Sequence, residues 1–228
     1  FSERMKKMFH MKEKFAEIPE KEVLTEILQS DMENIRGTME SLDKEAFSMA
    51  AELIQNAKKI YIVGIRSCEP LADFLGFYLN MLFDDVDVVR TNSVSEIFEQ
   101  LMRIGAGDVL IGISFPKYSM RTVKAMELAN SRSAGVISIT DSIHSPLNLY
   151  SSCNLIARSE MASVVDSLTA PLSVINALIV ALCLKNQDSL KQSIETLDQL
   201  YDDYQIYGRD EMDPSGGEIE IFHQGSRV

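Results

Sequence analysis

The sequence predicts an α/β protein, a three-layer α/β/α sandwich with a five-stranded parallel sheet. Short β-branched runs alternate with helical patterns through the middle of the chain, the strand runs are continuously apolar, and 46% of the 228 residues are hydrophobic. Strands that alternate with helices imply right-handed crossovers and therefore a parallel sheet. Helices cover such a sheet on both faces, which explains the unbroken apolar runs. A chain of this length can bury one sizeable core.

Helices are predicted ahead of the sheet. From residue 20 to residue 56, apolar residues recur at steps of three and four, the spacing of amphipathic helices. The pattern breaks near residues 41–43, so we expect two helices, with Ser41 as the cap-like start of the second. The charged side of this segment is interpreted as an ordinary solvated face.

Five strands and their helices account for the next hundred residues. The runs predicted as strands are 59–64, 86–90, 108–114, 135–140 and 154–157. The helical patterns between and after them cover 69–82, 94–104, 120–132 and 168–184. A further amphipathic helix is predicted over 188–207, followed by a flexible tail at 208–228 with a short strand at 218–222.

Composition limits the classes of function. The formal net charge is −12, whereas nucleic-acid binding needs clustered Lys and Arg, so we exclude a nucleic-acid surface within this chain. The cysteines Cys68, Cys153 and Cys183 and the three histidines lack metal-ligand spacing, so we expect reduced buried thiols, no metal and no cofactor. Lys and Glu interrupt the first twenty residues, which argues against a secretory signal and favours a cytoplasmic protein.

One apolar stretch could be mistaken for a membrane span. Residues 168–184 are nearly all apolar, but they include Pro171, Ser173 and Asn176 and fall short of the roughly 20 residues that cross a bilayer. We interpret the stretch as a core or dimer-interface helix and expect no membrane contact. Together with the helical N-terminal segment it offers too much apolar surface for a monomer, which predicts a homodimer or homotetramer.

The turn after the first strand is the first candidate site. Gly64 ends the strand and lets the backbone turn tightly, and Ser67 then falls at the start of the next helix. Free backbone N–H groups and the helix dipole attract an anion there, and a hydroxyl completes a phosphate cradle. The alternative is that Ser67 only caps the helix.

The turn after the third strand is the second candidate site. It runs from Ser114 through Lys117 and Tyr118 to Ser119 and Thr122. The spacing of Ser119 and Thr122 puts both hydroxyls around one helix N-terminus. Because ligands of parallel sheets bind beyond the carboxyl ends of the strands, two such turns can converge on one oxyanion.

Nucleotide binding is the obvious alternative for a strand–turn–helix of this kind. A dinucleotide site requires G-x-G-x-x-G, but this turn offers only Gly64, with Arg66 in place of the second glycine. A Walker-type phosphate loop is also absent from the sequence. We therefore set nucleotide binding aside.

These residues together resemble a known family. The segments that carry the resemblance are DMENI at 31–35, IVGIRS at 62–67, LIGISF at 110–115 with Tyr118, Ser119 and Thr122, ITDS at 139–142, SPL at 145–147 and DSL at 166–168. They resemble a SIS (sugar isomerase) domain as found in RpiR-family transcriptional regulators. The resemblance covers roughly residues 20 to 207, and the Ser-x-x-x-Tyr-Ser turn is fairly specific to this branch.

The resemblance implies a flavodoxin-like SIS fold that binds a phosphosugar. It assigns the phosphate to the hydroxyl residues of the two turns, which are Ser67, Ser114, Ser119 and Thr122. We add Arg66 for its charge and Glu160, which follows a strand end, to the ligand-binding residues. In SIS proteins generally a Ser-x-Ser-Gly-x-Thr loop holds the phosphate; here the loop is longer and Met120 replaces the glycine.

The resemblance also implies a DNA-binding partner domain. RpiR-type regulators carry an N-terminal helix-turn-helix domain, for which this chain lacks room. We interpret residues 1–42 as a helical segment that is a remnant or linker after that missing domain, 43–207 as the SIS domain and 208–228 as the tail. Contact with DNA is expected only through the domain that this chain lacks.

Three functions remain as alternatives at this stage. The preferred one is a sensor that binds a sugar phosphate without transforming it, and it has no catalytic residue. The second is an aldose–ketose sugar-phosphate isomerase, whose base would be Glu96 or Glu160, since His144 is expected to lie away from the site. The third is a dimerisation module with an empty site.

Overall fold

The computed structural model describes residues 19–90, 93–160 and 166–204, which build a five-stranded parallel sheet between two layers of helices. The predicted α/β/α sandwich is therefore confirmed. The tail at 208–228, its short strand at 218–222 and the first 18 residues lie outside the described residues.

Two helices precede the sheet, α1 (Glu20–Glu40) and α2 (Lys44–Gln55). The break falls where the sequence predicts it, but the capping residue of α2 is Asp43, whose carboxylate accepts the amide of Ala46 at 2.9 Å. The hydroxyl of Ser41 instead donates to the carbonyl of Gly37 at the end of α1, at 2.9 Å. The prediction of Ser41 as the cap is wrong, because the helix register places Asp43 directly before the first helical residue.

The remaining elements alternate along the chain as the sequence predicts. The strands are β1 (Ile60–Gly64), β2 (Val86–Val88), β3 (Val109–Ile113), β4 (Gly135–Thr140) and β5 (Cys153–Ile156). The helices are α3 (Glu69–Leu79), α4 (Val94–Gln100), α5 (Met120–Ser131), α6 (Thr169–Lys185) and α7 (Gln187–Tyr204). Short 3-10 turns occupy Arg66–Cys68 and Pro146–Leu149.

Two hydrophobic clusters hold the sheet between its helices. Successive strand residues point to opposite faces, so Ile60 and Ile62 join one cluster while Tyr61 and Val63 join the other. The first cluster includes buried residues of α2, α3 and α6, and the second includes those of α4 and α5. Helix α1 packs on α6 and therefore forms an outer addition to the first layer.

The strand order β2-β1-β3-β4-β5 positions the candidate site. Strands β1 and β3 pair directly, with Gly64 opposite Ile113, although β2 lies between them in the chain. The chain leaves β1 toward β2 and leaves β3 toward β4, in opposite directions across the sheet. A crevice for ligands forms at such a switch point, beyond the carboxyl ends of the two strands.

The apolar helix α6 is mostly a core helix. Among residues 19–90, 93–160 and 166–204, no single helix has the length and apolar character needed to cross a membrane. Helices α6 and α7 meet those criteria only as a pair, and the pair is bent by 97°.

Candidate functional site

The turn after β1 is tight and its serine is exposed. Arg66 has a left-handed backbone with φ of 63°, and the 3-10 turn Arg66–Cys68 follows. A Cβ at Gly64 would lie 2.4 Å from the carbonyl oxygen of Cys68, so only glycine fits where this turn folds back on the strand. Ser67 does not cap α3, because that helix starts at Glu69 after Cys68 and has no side-chain cap. Ser67 is therefore an exposed residue of this turn without a capping role.

The turn after β3 is closed by its own hydroxyl groups. The backbone N–H of Ser119 donates to Oγ of Ser114 at 3.0 Å, and Ser114 is only 3% exposed. Ser119 is the N-cap of α5, and its Oγ accepts the backbone N–H of Thr122 at 3.5 Å. Lys117, like Arg66, is left-handed with φ of 63°. The hydroxyls of Ser114 and Ser119 thus accept the backbone N–H groups of Ser119 and Thr122 at the N-terminus of this helix.

Thr122 carries a buried polar atom that has no partner among the described residues. Its side chain is fully buried in the first turn of α5, and its Oγ1 has no hydrogen-bond partner within the described residues. Buried hydroxyls are nearly always paired, since an unpaired one costs about 1–3 kcal/mol. The unpaired hydroxyl next to a helix N-terminus therefore points to an acceptor that the described part of the chain does not provide.

The two turns are in contact. The Cys68 thiol, which belongs to the first turn, interacts with the Ser67 hydroxyl and with the backbone of Phe115, which follows Ser114 in the second. Burial raises the pKa of this thiol, and its contacts with Phe115 and Ser67 oppose that effect. Cys68 and Phe115 are each 4% exposed. The buried contact fixes the turns against each other below the exposed Ser67.

A hydroxyl network fastens the second turn to the end of β4. The hydroxyl of Tyr118 donates to Oδ1 of Asp141 at 2.8 Å, and the buried Thr140 donates to Oγ of Ser145 at 2.9 Å. Burial and the hydrogen bond to Asp141 raise the pKa of Tyr118 to about 12. The tyrosine preceding Ser119 is therefore held in place from the neighbouring strand.

The segment after β5 is held by helix α1. The backbone N–H of Glu160 donates to Oδ1 of Asn34 at 3.1 Å, and Nδ2 of Asn34 donates to the carbonyl of Glu160 at 3.2 Å. The backbone N–H of Arg158 donates to Oγ1 of Thr38 at 2.8 Å. A Cβ at Gly37 would lie 2.5 Å from the Arg158 side chain, so glycine allows this close approach. We define Asp31, Asn34, Gly37 and Thr38 as the inner face of α1.

Asp31 extends these contacts to the start of α6. Its carboxylate accepts the hydroxyl of Ser167 at 2.6 Å and that of Thr169 at 2.9 Å. The neighbouring Asp166 acts electrostatically on the Cys68 thiol and raises its pKa. The segment held by α1 therefore lies within electrostatic reach of the turn after β1.

The structure places most of the predicted ligand residues in the two neighbouring turns after β1 and β3. Ser67 and Arg66 lie in the first turn and Ser114, Ser119 and Thr122 in the second. Glu160 instead follows β5, two strands from β3, where its backbone is bonded to α1. Among the candidate bases, Glu96 follows the outer strand β2 and His144 follows β4, and both side chains are exposed.

The inner face of α1 and the pair Tyr118–Asp141 were missed by reasoning from residues alone. The signal for the inner face was a pair of uncharged polar residues, Asn34 and Thr38, one helical turn apart on the same side of the helix. The signal for Asp141 was a carboxylate directly after a predicted strand. Both pairings join residues distant in sequence, so only the fold reveals them.

Sequence comparison agrees with this geometry. Residues 53–181 match the SIS domain family. An HTH-type transcriptional regulator of Caldanaerobacter subterraneus is 27% identical over 186 residues, which cover 78% of this chain and 64% of that protein. The HTH-type transcriptional regulator HexR of Escherichia coli is 28% identical over 193 residues, with 79% and 64% covered. The chain thus spans less than two thirds of the length of these relatives.

Solved structures share the fold. The sugar isomerase domain of an RpiR transcription factor from Sphaerobacter thermophilus superposes with a TM-score of 0.75 at 25% identity, over 78% of this chain and 99% of that one. NanR of Vibrio vulnificus, complexed with ManNAc-6P, superposes with a TM-score of 0.66 at 19% identity, over 76% of this chain and 67% of that one. The phosphoheptose isomerase GmhA of Neisseria gonorrhoeae superposes with a TM-score of 0.61 at 17% identity, over 71% of this chain and 98% of that one.

The curated relatives are transcriptional regulators, whereas the shared fold also includes isomerases. The strand order, the two hydroxyl-lined turns and the matched residues 53–181 lead to the same assignment. The chain belongs to the SIS domain family, and HTH-type transcriptional regulators are among its relatives.

Proposed function

We propose that this chain is the effector domain of an RpiR-type transcriptional regulator, which binds a sugar phosphate between the turns after β1 and β3 and thereby changes DNA binding by an attached helix-turn-helix domain. The single observation that carries the proposal is the buried hydroxyl of Thr122 at the N-terminus of α5, which has no partner in the described ranges and lies beside a second hydroxyl-bearing turn. A phosphoryl group supplies the acceptors that such a site lacks.

The chemistry of the two turns supports an anion. The N-terminus of α5 presents backbone N–H groups and the positive end of the helix dipole. Arg66 and Lys117 are exposed, one in each turn, and supply cations in a chain of net charge −12. Ser67 is accessible to a ligand, whereas Ser114 and Thr122 are covered, so phosphate binding requires the second turn to loosen and exchange its internal hydrogen bonds.

The relatives favour sugar phosphates as the ligand class. NanR is complexed with ManNAc-6P, and another structural neighbour is in complex with arabinose 5-phosphate. We carry this class to the present chain as a proposal and propose a cytoplasmic location, which fits the free cysteines of the described residues. In this proposal residues 43–207 form the sensing domain and residues 1–42 connect it to the DNA-binding domain.

Helix α1 provides a route from the site toward that domain. Its inner face holds Arg158 and Glu160, and the same segment reaches Cys68 through Asp166. A ligand that binds one arrangement of the turns more tightly shifts the population of that arrangement. We propose that this shift moves the segment after β5 and, through Asn34 and Thr38, helix α1.

Isomerisation is the second candidate, because isomerases share the fold. An isomerase needs a base within hydrogen-bond reach of the substrate carbon. The acids and histidine considered for that role, Glu96, Glu160 and His144, all follow β2, β4 or β5 and not the two strands that carry the hydroxyl turns. This placement favours sensing over catalysis.

Calorimetry and thermal unfolding test the proposal. The protein is titrated with ManNAc-6P, arabinose 5-phosphate, inorganic phosphate and the two unphosphorylated sugars. At 100 times its Kd a binding sugar phosphate adds about 2.7 kcal/mol of stability, which raises Tm by roughly 5–10 °C for a domain of this size. We expect a rise with at least one sugar phosphate and none with the unphosphorylated sugars.

The same samples are assayed for aldose–ketose interconversion. Binding without turnover supports a sensor. Turnover contradicts the sensor proposal in favour of the isomerase, and failure of both sugar phosphates and of phosphate to raise Tm contradicts anion binding at the two turns.

A further inference from the structure

The turn after β3 is held at both of its ends. At its start, the side chain of Phe115 is only 4% exposed, and its backbone contacts the Cys68 thiol of the other turn. At its end, the hydroxyl of Tyr118 donates to Oδ1 of Asp141 at 2.8 Å, and Asp141 directly follows β4. Because Phe115 is packed in the core, any loosening of this turn has to begin at the end where Tyr118 lies.

The acceptor of the Tyr118 bond is itself fixed. Asp141 follows Thr140, the last residue of β4, which is fully buried and whose hydroxyl lies 3.3 Å from Oδ1 of Asp141. Thr140 also bonds Oγ of Ser145, a residue that is 3% exposed, at 2.9 Å. These buried contacts keep the carboxylate at the end of β4. An outward movement of the turn therefore breaks the bond from Tyr118 to Asp141.

In this arrangement, which we call the closed turn, serine hydroxyls occupy donors that an anion would use. Oγ of Ser114 accepts the amide of Ser119 at 3.0 Å, and Oγ of Ser119 accepts the amide of Thr122 at 3.5 Å. A phosphoryl group that binds this helix N-terminus has to replace at least one of these bonds. The Ser119 amide belongs to the same planar peptide unit as the Tyr118 carbonyl, so it cannot leave Ser114 without displacing Tyr118.

The backbone of Lys117 shows that the closed turn is under strain. Lys117 has a φ of 63°, a left-handed conformation that residues with a side chain rarely adopt. Such conformations persist where the surrounding structure holds them. The Lys117 side chain is exposed, so core packing does not hold it. The bond from the adjacent Tyr118 to Asp141 is the contact placed to do so.

We propose that Tyr118 and Asp141 are positioning residues that hold the turn after β3 closed in the unliganded protein, so that their hydrogen bond limits the affinity for a phosphoryl ligand. The inference rests on the proposed function, because it takes this turn as part of the phosphate site. A ligand that binds only the open turn has its affinity reduced by the fraction of protein that is open. Breaking the bond raises that fraction and tightens binding without adding a contact to the ligand.

Amide hydrogen exchange of the full chain without ligand tests the closed turn directly. In Tyr118→Phe, the amides of Ser119 and Thr122 are expected to exchange about fivefold faster, because the loss of one net hydrogen bond shifts the equilibrium toward the open turn by about that factor. The amide of Ile111, in the central strand β3, reports unfolding of the sheet and should keep its rate.

The matched control is Tyr150→Phe. Tyr150 packs on the same hydrophobic cluster as Tyr118 and ends the 3-10 turn after β4, so the control removes a tyrosine hydroxyl without touching the bond to Asp141. Its exchange rates at Ser119 and Thr122 should equal those of the unaltered protein. Thermal unfolding identifies any variant that fails to fold.

Calorimetry with inorganic phosphate and with ManNAc-6P measures the effect on binding. The Kd of Tyr118→Phe is expected to be about three- to fivefold lower than that of the unaltered protein, whereas Tyr150→Phe should leave it unchanged. A side chain with a purely structural role would lower stability without tightening binding.

Asp141→Asn provides a second variant and a double-mutant cycle. Its amide oxygen can still accept the Tyr118 hydroxyl, but the bond is weaker without the charge. Removing the charge also favours an anionic ligand directly, and this direct effect is the same with Tyr118 or Phe at position 118. We therefore expect Asp141→Asn to tighten binding more in the unaltered protein than in Tyr118→Phe.

Unchanged exchange of the Ser119 and Thr122 amides in folded Tyr118→Phe would overturn the proposal, whether or not a ligand binds. Faster exchange with an unchanged or weaker affinity would overturn the role of the bond in binding. Absence of binding to both the unaltered protein and Tyr118→Phe contradicts the proposed function and, with it, the effect on affinity. The exchange rates then still show whether the Tyr118–Asp141 bond holds the turn closed, so the two failures are distinguishable.

Discussion

The turn after β1 and the turn after β3 occupy equivalent places at neighbouring strands, yet they are built differently. In the first, Ser67 is exposed and caps no helix. In the second, Ser114 and Ser119 accept backbone amides and Thr122 is fully buried. Each turn contains one left-handed residue that is not glycine, Arg66 or Lys117, at a cost of about 1–2 kcal/mol.

The difference assigns separate tasks to the two turns. In the proposed site the second turn supplies the helix N-terminus and most of the hydroxyl groups, so we expect it to dominate the affinity for a phosphoryl group once its internal hydrogen bonds have exchanged. The first turn is accessible in the unliganded structure, and we expect it to contribute less to the affinity. Substitutions in the second turn should therefore change both folding stability and ligand affinity, whereas those in the first should change affinity alone.

The largest effect is expected from Ser119→Ala. This change removes the N-cap of α5, which lowers the free energy of unfolding by about 1 kcal/mol, and it removes one hydroxyl of the site. A lost hydrogen bond to a charged group, at about 1.5–3 kcal/mol, weakens sugar-phosphate affinity roughly 10- to 100-fold by calorimetry. Ser93→Ala is the matched control, because Ser93 caps α4 by accepting the amide of Glu96. It should destabilise the fold to a similar extent and leave the affinity unchanged.

Thr122→Val should change stability and affinity in opposite directions. Valine has the same shape without the unpaired hydroxyl, so the unliganded protein gains about 1 kcal/mol and its Tm rises by about 2–4 °C. Loss of the hydroxyl weakens sugar-phosphate binding about tenfold. The control Thr140→Val removes a satisfied hydroxyl, which bonds Ser145 at 2.9 Å, and should lower Tm. A destabilised Thr122→Val protein with unchanged affinity would contradict a ligand role for this hydroxyl.

Ser67→Ala tests the exposed turn. The hydroxyl has no capping role, so the stability should change by less than about 0.5 kcal/mol. Affinity for the sugar phosphate should fall by roughly three- to tenfold, smaller than for Ser119→Ala, because one net hydrogen bond of about 1 kcal/mol is lost. A loss of sugar-phosphate affinity equal to or larger than that of Ser119→Ala would show that the first turn, and not the second, dominates the affinity.

The smallest effect is a pH dependence from the second turn. The pKa of Tyr118 is raised to about 12 from 10.0, mainly by burial and then by its bond to Asp141. Between these values the folded protein keeps a proton that the unfolded chain has lost, so stability falls as the pH rises from about 10 to 12. Below pH 10 the contribution is complete. In denaturant unfolding, the free energy of unfolding of Tyr118→Phe should fall less steeply between pH 10 and 12 than that of the unaltered protein. Identical pH dependence in the two proteins would exclude Tyr118 as a source of the alkaline loss of stability.

Most of the fold was predictable because strand and helix periodicity are local properties. The apolar runs of β1, β3 and β4 are bounded by turn residues, and their limits fall within one residue of the prediction. The cap of α2 was not predictable, since Ser41 and Asp43 are both good capping residues and only the residue at which the helix starts decides between them.

The positions of the candidate residues in the fold were predictable from the sequence, but their hydrogen bonds were not. Hydroxyls directly after two apolar strands indicate the carboxyl edge, where the structure has Ser67 and Ser119. That Ser114 accepts the Ser119 amide, and that Asn34 holds Glu160 across 126 positions of sequence, depend on tertiary contacts. That α1 buries Asn34 and Thr38 and leaves Leu24 exposed likewise requires the packed structure, because amphipathic spacing does not say which face is buried.

Amide chemical shifts followed during titration with ManNAc-6P and arabinose 5-phosphate test the central claim most directly. The account predicts that the backbone amides of Ser67, Ser119 and Thr122 move together, with one Kd, when either sugar phosphate binds. Movement of only one turn, or of amides at another edge of the sheet while these three stay fixed, would contradict a shared phosphate site between β1 and β3.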